Sequence, residues 1–162
     1  MPRFGILPVI LRELLVERTL PREPEPDLVM ADMDQVAAYA HAGRIDGVMS
    51  AAYLFHSARI SQVIQGRAQV IDLGCGPATQ LAQVAELNPD TSFIGVELSE
   101  EMLCQARQHV QSLGLKNVDL VQGDMTNLKH LPNGCADGVI STMALHHLPS
   151  NGHLEKCFSE VR

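Results

Sequence analysis

The sequence predicts an α/β fold in which helices alternate with the strands of a parallel sheet. Three observations carry this. Short Val- and Ile-containing runs recur at residues 70–73, 92–97, 118–121 and 138–142. Stretches with helical apolar spacing lie between and after them. From residue 69 onward the two kinds alternate, which calls for parallel strands joined by right-handed crossovers.

The elements follow in order. An amphipathic helix starts near Pro8 and places Leu7, Leu11, Leu14, Leu15 and Arg18 on one side, a packing or partner surface, with a membrane-surface segment as the alternative. The apolar run at 4–11 is broken by Gly5 and Pro8 and is too short to span a bilayer. It carries no cleavage site of the kind a signal peptide needs. Pro21, Pro24 and Pro26, interleaved with Arg22, Glu23, Glu25 and Asp27, form an extended linker. Two helices follow between Asp34 and Ile64. The first buries Val36, Ala37, Tyr39 and Ala40 and is capped at Gly43. The second carries Val48, Ala51, Ala52, Phe55, Ala58, Ile60 and Val63 as its stripe. The chain therefore divides into a helix and linker (1–29), a helical cap (30–66) and an α/β portion (67–162).

In that portion the first strand ends in Gly74-Cys75-Gly76, and a helix with Leu81, Val84, Ala85 and Asn88 stops at Pro89. Strand two is 92–97. Ser99 caps the next helix, with Glu100 and Glu101 in its first turn, where the dipole favours negative charge. Met102, Leu103, Ala106, Val110 and Leu113 form its buried stripe. Gly114 ends it, and Leu115 folds back on Val110. Strands at 118–121 and 138–142 follow. Leu154, Cys157, Phe158 and Val161 mark a last helix.

Twelve Lys and Arg against nineteen Asp and Glu give a net charge of −7 among 162 residues. That balance argues against a partner bound through its phosphate backbone, so no nucleic acid is expected; with no spanning or targeting segment visible, no membrane partner is expected either. Cys75, Cys104, Cys135 and Cys157 form no C-x-x-C pair, so no metal site is signalled. Scattered thiols suit a reduced, cytoplasmic setting.

Chemistry points to Asp72-Leu73-Gly74-Cys75-Gly76-Pro77-Ala78-Thr79. A strand ending in Gly-x-Gly and opening a helix lets backbone approach a ligand, and bare amides there favour a negative group. Glu97 ends the next strand, 21 residues after Gly76, where a carboxylate meets a ribose. Asp124 follows the third strand. These carboxylates lie at strand carboxyl ends, the ligand side of open α/β sheets. A dinucleotide fingerprint would place glycine at position 79, which is Thr79. The Gly-Lys-Ser/Thr of a P-loop is absent.

With an acidic residue two before the first glycine, residues 70–79 closely resemble the first motif of class I S-adenosylmethionine-dependent methyltransferases. Residues 95–103 are similar to the family's second motif, Gly123-Asp124-Met125 to the third and residues 139–149 to the fourth-strand segment. The stretch from Pro24 to Leu28, with 35–40, is similar to an N-terminal element of some bacterial members. The resemblance covers about residues 22–162. It implies a Rossmann-like sheet of order 3-2-1-4 with helices on both faces, and S-adenosylmethionine as cofactor. It implies that Gly74 and Gly76 pass beneath the methionine and ribose portions, with Asp72 supporting the loop and the amino end. Glu97, with Leu98 beside it, would take the ribose hydroxyls. Asp124 would accept from the adenine amino group, with the Met125 backbone against the ring. Met143 and Ala144 would line the reactive methyl region.

His146 and His147 are the candidate catalytic residues. As adjacent side chains they point different ways, and no third ligand sits at useful spacing. Lining the pocket, acting as a base and holding a metal stay open for them. Cys75 reads as a small filler within the loop. The family pattern continues past the last helix into strands five to seven, which the 162 residues do not contain. The expectation is a shortened domain, a fragment or a short product, with an exposed strand-four edge prone to self-association. Two functions follow: methyl transfer to a small-molecule acceptor, or a non-catalytic cofactor-binding or interaction module.

Overall fold

A computed structural model describes residues 29, 30, 32–44 and 46–162, together with Leu11, Leu14 and Leu15. Those three leucines are helical and exposed. The rest of the expected N-terminal helix and the Pro-rich linker lie outside the described residues.

Four strands, β1 (Gln69–Leu73), β2 (Ser92–Glu97), β3 (Val118–Gln122) and β4 (Gly138–Ile140), form one parallel sheet of order β3-β2-β1-β4. Val70 stands opposite Phe93 on one side and Gly138 on the other, and Phe93 opposite Val118. The helices are α1 (Met33–Ala42), α2 (Ser50–Val63), α3 (Thr79–Leu87), α4 (Glu100–Ser112) and α5 (Asn151–Glu160). A single 3₁₀ turn, Leu145–His147, precedes α5. Each strand enters at the same end of the sheet, so all four carboxyl ends converge.

Alternation along the strands sends side chains to two cores. On one face Val70 and Phe93 meet Leu81, Val84 and Ala85 of α3 and Ala106 and Val110 of α4. On the other, Ile71, Leu73 and Val96 meet Leu128, Leu148 and, from α5, Cys157. Gly95 is required by this packing, because a Cβ there would lie 2.8 Å from both Cys75 Sγ and Leu81 Cδ2.

Caps fix the helix ends. Asp32 Oδ1 accepts from Gln35 N (2.9 Å) at α1, and Ser99 Oγ accepts from Met102 N (3.2 Å) at α4. At the end of α4, Leu115 N donates to Val110 O and Gly114 N to Gln111 O, with Gly114 at φ +68°. This is the expected Schellman closure.

Five expectations need correction. The buried face of α2 is Tyr53 and Ser57, continued by Ile64 at its C-cap, whereas Val48 is 93% exposed and Phe55 65%. Polar pairing sets the rotation of this helix: Gln80 Nε2 donates to Tyr53 O and Ser57 Oγ, and Ser57 Oγ donates to Gln83 Oε1. In α1 only Val36 and Ala40 are buried, and Ala37 is exposed. Leu113 is the exposed C-cap of α4 rather than part of its stripe. Strand β4 ends at Ile140, because Ser141 Oγ donates to Leu73 O (2.8 Å) and Met143 turns the chain at φ +57°. In α5 Cys157 is buried while Phe158 is 48% exposed.

Candidate functional site

The carboxyl ends of the strands open into a cavity of about 740 Å³. The loop after β1 supplies Gly74 and Gly76, the end of β2 supplies Glu97, and the turn after β3 supplies Asp124 and Met125. The loop after β4 supplies Met143, Ala144 and His147. Leu98 also lines it. The sheet thus brings together most of the residues singled out in the sequence. Two lie elsewhere. Asp72 is 1% exposed beneath the glycine loop, outside the lining. His146 packs its ring against that of His147 (centroids 4.0 Å apart) and is likewise outside the lining.

The two glycines differ. At Gly74 (φ +72°) a Cβ would lie 2.4 Å from the Ala144 Cβ and 3.0 Å from Met125 Cε. The loop after β4 sits directly on it. At Gly76 (φ +56°) a Cβ would find only Tyr39 Cε1, at 3.8 Å. Gly74 serves close packing of two loops, while Gly76 faces open space.

Glu97 organises the floor. Gly76 N donates to its Oε2 (2.9 Å), and Leu98 N and Ser99 N donate to its Oε1 (2.9 and 3.0 Å). Asp124 Oδ1 accepts from Thr126 N (2.7 Å) in a tight turn closed by Asn127 N on Asp124 O. Asp72 Oδ1 has no hydrogen-bond partner among the described residues. Burial, reinforced by the negative charge of Glu97, pushes its carboxyl up to about 7. Burial, with Asp72 and Glu97 nearby, also raises the Cys75 thiol and so disfavours its thiolate.

Sequence reasoning missed one wall. Met30, Asp32, Gln35 and Tyr39 line the cavity from the α1 side, and Met30 O accepts from Ser99 Oγ (2.8 Å). Burial, then the side-chain hydrogen bond with Tyr53, raises the Tyr39 phenol above its ordinary range. Met102 of α4 and His153 of α5 also contribute, with His153 Nδ1 2.7 Å from Ser150 Oγ. In the sequence Tyr39 and Met102 are indistinguishable from core residues. His153 carries a readable signal, a histidine in the first turn after a Ser cap on the ligand side of the sheet.

The comparisons with known proteins agree with this architecture. The model of a family described as "Methyltransferase domain" matches residues 64–162, more than half of the chain. Trans-aconitate 2-methyltransferase of Deinococcus radiodurans is 37% identical over 87 residues, 54% of this chain and 31% of that protein. A tRNA (guanine-N(7)-)-methyltransferase of Microcystis aeruginosa is 34% identical over 67 residues, 40% of this chain and 32% of that protein. Each match spans about a third of the relative's length. A solved structure from Methanococcus maripaludis, reported as a candidate S-adenosyl-L-methionine-dependent methyltransferase, superposes with TM-score 0.71. It is 19% identical, covering 88% of this chain and 61% of that one, and so speaks to the fold alone. With its 3-2-1-4 parallel sheet and its match over residues 64–162, the chain belongs to the class I methyltransferase-domain family, a membership that implies S-adenosylmethionine as methyl donor.

Proposed function

We propose that the cavity binds S-adenosylmethionine and that the protein transfers its methyl group to a small-molecule acceptor. The observation that carries this reading is the meeting of Gly76, Glu97 and Asp124 in one cavity at the strand carboxyl ends. Its volume of about 740 Å³ is of the size that takes a cofactor-sized ligand.

The residues fit this donor. The open space over Gly76 leaves room for a ligand where any side chain would intrude. The unpartnered Asp72 Oδ1 leaves a buried carboxyl beneath the loop whose charged form a cationic ligand overhead would favour. Glu97 would hold the ribose hydroxyls, Asp124 and the Met125 backbone the adenine, and Met143 and Ala144 would face the reacting end. When bound, the donor supplies an already activated methyl group. What is left to the protein is alignment of the acceptor and exclusion of water. The α1 wall supports the second task, since Tyr39 and Gln35 close the side of the cavity facing α1. His147 and His153 stand where an acceptor proton could be taken, and whether either acts depends on the acceptor's own acidity. The net charge of −7 supports a small acceptor over a nucleic acid.

Calorimetric titration of S-adenosylmethionine into the 162-residue chain tests the donor. Mass spectrometry of small molecules incubated with chain and donor tests transfer. Binding with a methylated product is the expected result. Binding without any product would favour the non-catalytic module, and no binding would remove both readings.

A further inference from the structure

Tyr39 stands where the large cavity meets the glycine loop. Tyr39, Gly74 and Gly76 line both that cavity and a second one of about 20 Å³, whose walls also include Tyr53, Thr79 and Gln80. The ring of Tyr39 therefore forms a partition beside the loop, and a Cβ on Gly76 would meet its Cε1 at 3.8 Å. Tyr39 is also held from behind, by a side-chain hydrogen bond with Tyr53. Tyr53 is buried and lies outside the lining of the large cavity. Two contacts fix Tyr53 in turn. Gly43, at the end of α1, leaves room for its ring, with which a Cβ would collide. Gln80, in the first turn of α3, donates from Nε2 to Tyr53 O (2.9 Å) and to Ser57 Oγ. The helix that leaves the glycine loop thus sets the tyrosine pair that flanks the same loop.

We propose that Tyr39 is a donor-binding residue, its ring packing against the ligand that lies over Gly76, and that Tyr53 is the positioning residue that holds the ring there. The proposal rests on the reading of this cavity as the S-adenosylmethionine site. A ligand occupying the open side of Gly76 has the Tyr39 ring as its neighbour on the α1 side. A tyrosine offers a large contact surface with two torsions to fix. Fixing them when the ligand arrives costs affinity, and a hydrogen bond made beforehand removes that cost. Tyr53 acts in this way on affinity without touching the ligand.

The protein carries its own probe for the test. It has two tyrosines, Tyr39 and Tyr53, and no tryptophan, so its emission reports on this pair alone. S-adenosylmethionine is titrated into the wild type, Tyr39→Phe, Tyr53→Phe, the double variant and Tyr39→Leu, with calorimetry for affinity and tyrosine emission for the site of contact. Each single Phe variant should bind about three- to tenfold more weakly. The double variant should bind no more weakly than either, because all three lose the same bond. Tyr39→Leu removes the ring and should lose more than either Phe variant. The ligand should change the emission of Tyr53→Phe, which retains Tyr39, and leave that of Tyr39→Phe unchanged. A pair that only braces α1 would lower the melting temperature and give no ligand-dependent emission in Tyr53→Phe, which overturns the proposal. Wild-type affinity in Tyr39→Leu or in both Phe variants overturns it too, with the donor reading intact because the wild type still binds. A silent calorimetric titration of the wild type removes the donor reading and this proposal together.

Discussion

Gly76 and Glu97, 21 residues apart, are joined by a 2.9 Å hydrogen bond from the glycine amide to Oε2. That contact ties the loop after β1 to the end of β2, and it does so at the floor of the cavity. The carboxylate also holds Leu98 N and Ser99 N, so one side chain orders three backbone amides on two segments. Because Ser99 caps α4 and its hydroxyl also reaches Met30 O, the same segment anchors the α1 wall. A ligand engaging Glu97 would therefore bear on loop, helix and wall together.

The two glycines of the loop should separate stability from binding. Gly74→Ala forces its methyl against Ala144 Cβ at a positive φ. Strain and overpacking together should cost roughly 2–4 kcal/mol. Gly76→Val leaves the packing free but fills the open side of the loop and resists φ +56°. It should remain folded and lose donor binding. Melting curves and calorimetry on both variants check this. Normal affinity in Gly76→Val would mean that the loop does not touch the ligand.

Asp72 predicts a pH signature. Its folded carboxyl titrates at about 7, against 3.8 ordinarily. Between these values the folded chain binds more protons than the unfolded one, so this group lowers stability as pH rises through the window. Asp72→Asn should flatten that fall. Thermal melts at intervals from acid to neutral pH measure it, and an unchanged slope in the variant would contradict the assignment.

Strand β4 pairs with β1 alone among the described residues, and Val139 on it is 41% exposed. An open edge with apolar side chains is a template for association. The 162-residue chain should self-associate with rising concentration, and Val139→Lys should suppress this without lowering the melting temperature. Light scattering on the two proteins decides; a wild-type chain monomeric across a wide concentration range would refute the edge.

Chelation should leave donor binding unchanged. Among the described residues no group of three or more His, Cys, Asp or Glu side chains is placed to hold a metal ion. Loss of binding on chelation, restored by zinc or magnesium, would overturn this.

The sheet and the carboxyl-end residues were legible because their signals are local. Strand periodicity, the Ser99 cap and the Gly114 closure each depend on a few neighbouring residues, and β2 and the α4 closure appear where expected. The rotation of α2 was not legible. Its apolar residues suggested one face, but hydrogen bonds from Gln80 to Tyr53 and Ser57, 27 and 23 residues away, select another. The α1 wall was hidden for the same reason, since Tyr39 reaches Gly76 only through tertiary packing. Strand β4 fell short of its apolar run because Ser141 spends its hydroxyl on Leu73 O.

Titration of S-adenosylmethionine into the wild-type chain and Glu97→Ala, side by side, tests the central claim most directly. Removing the carboxylate takes away paired hydrogen bonds to a charged acceptor, roughly 2–4 kcal/mol. The wild-type chain should bind, and the variant, folded by circular dichroism, should bind about 30- to 1,000-fold more weakly. Equal affinity in a folded Glu97→Ala would remove this carboxylate from the site and contradict the account.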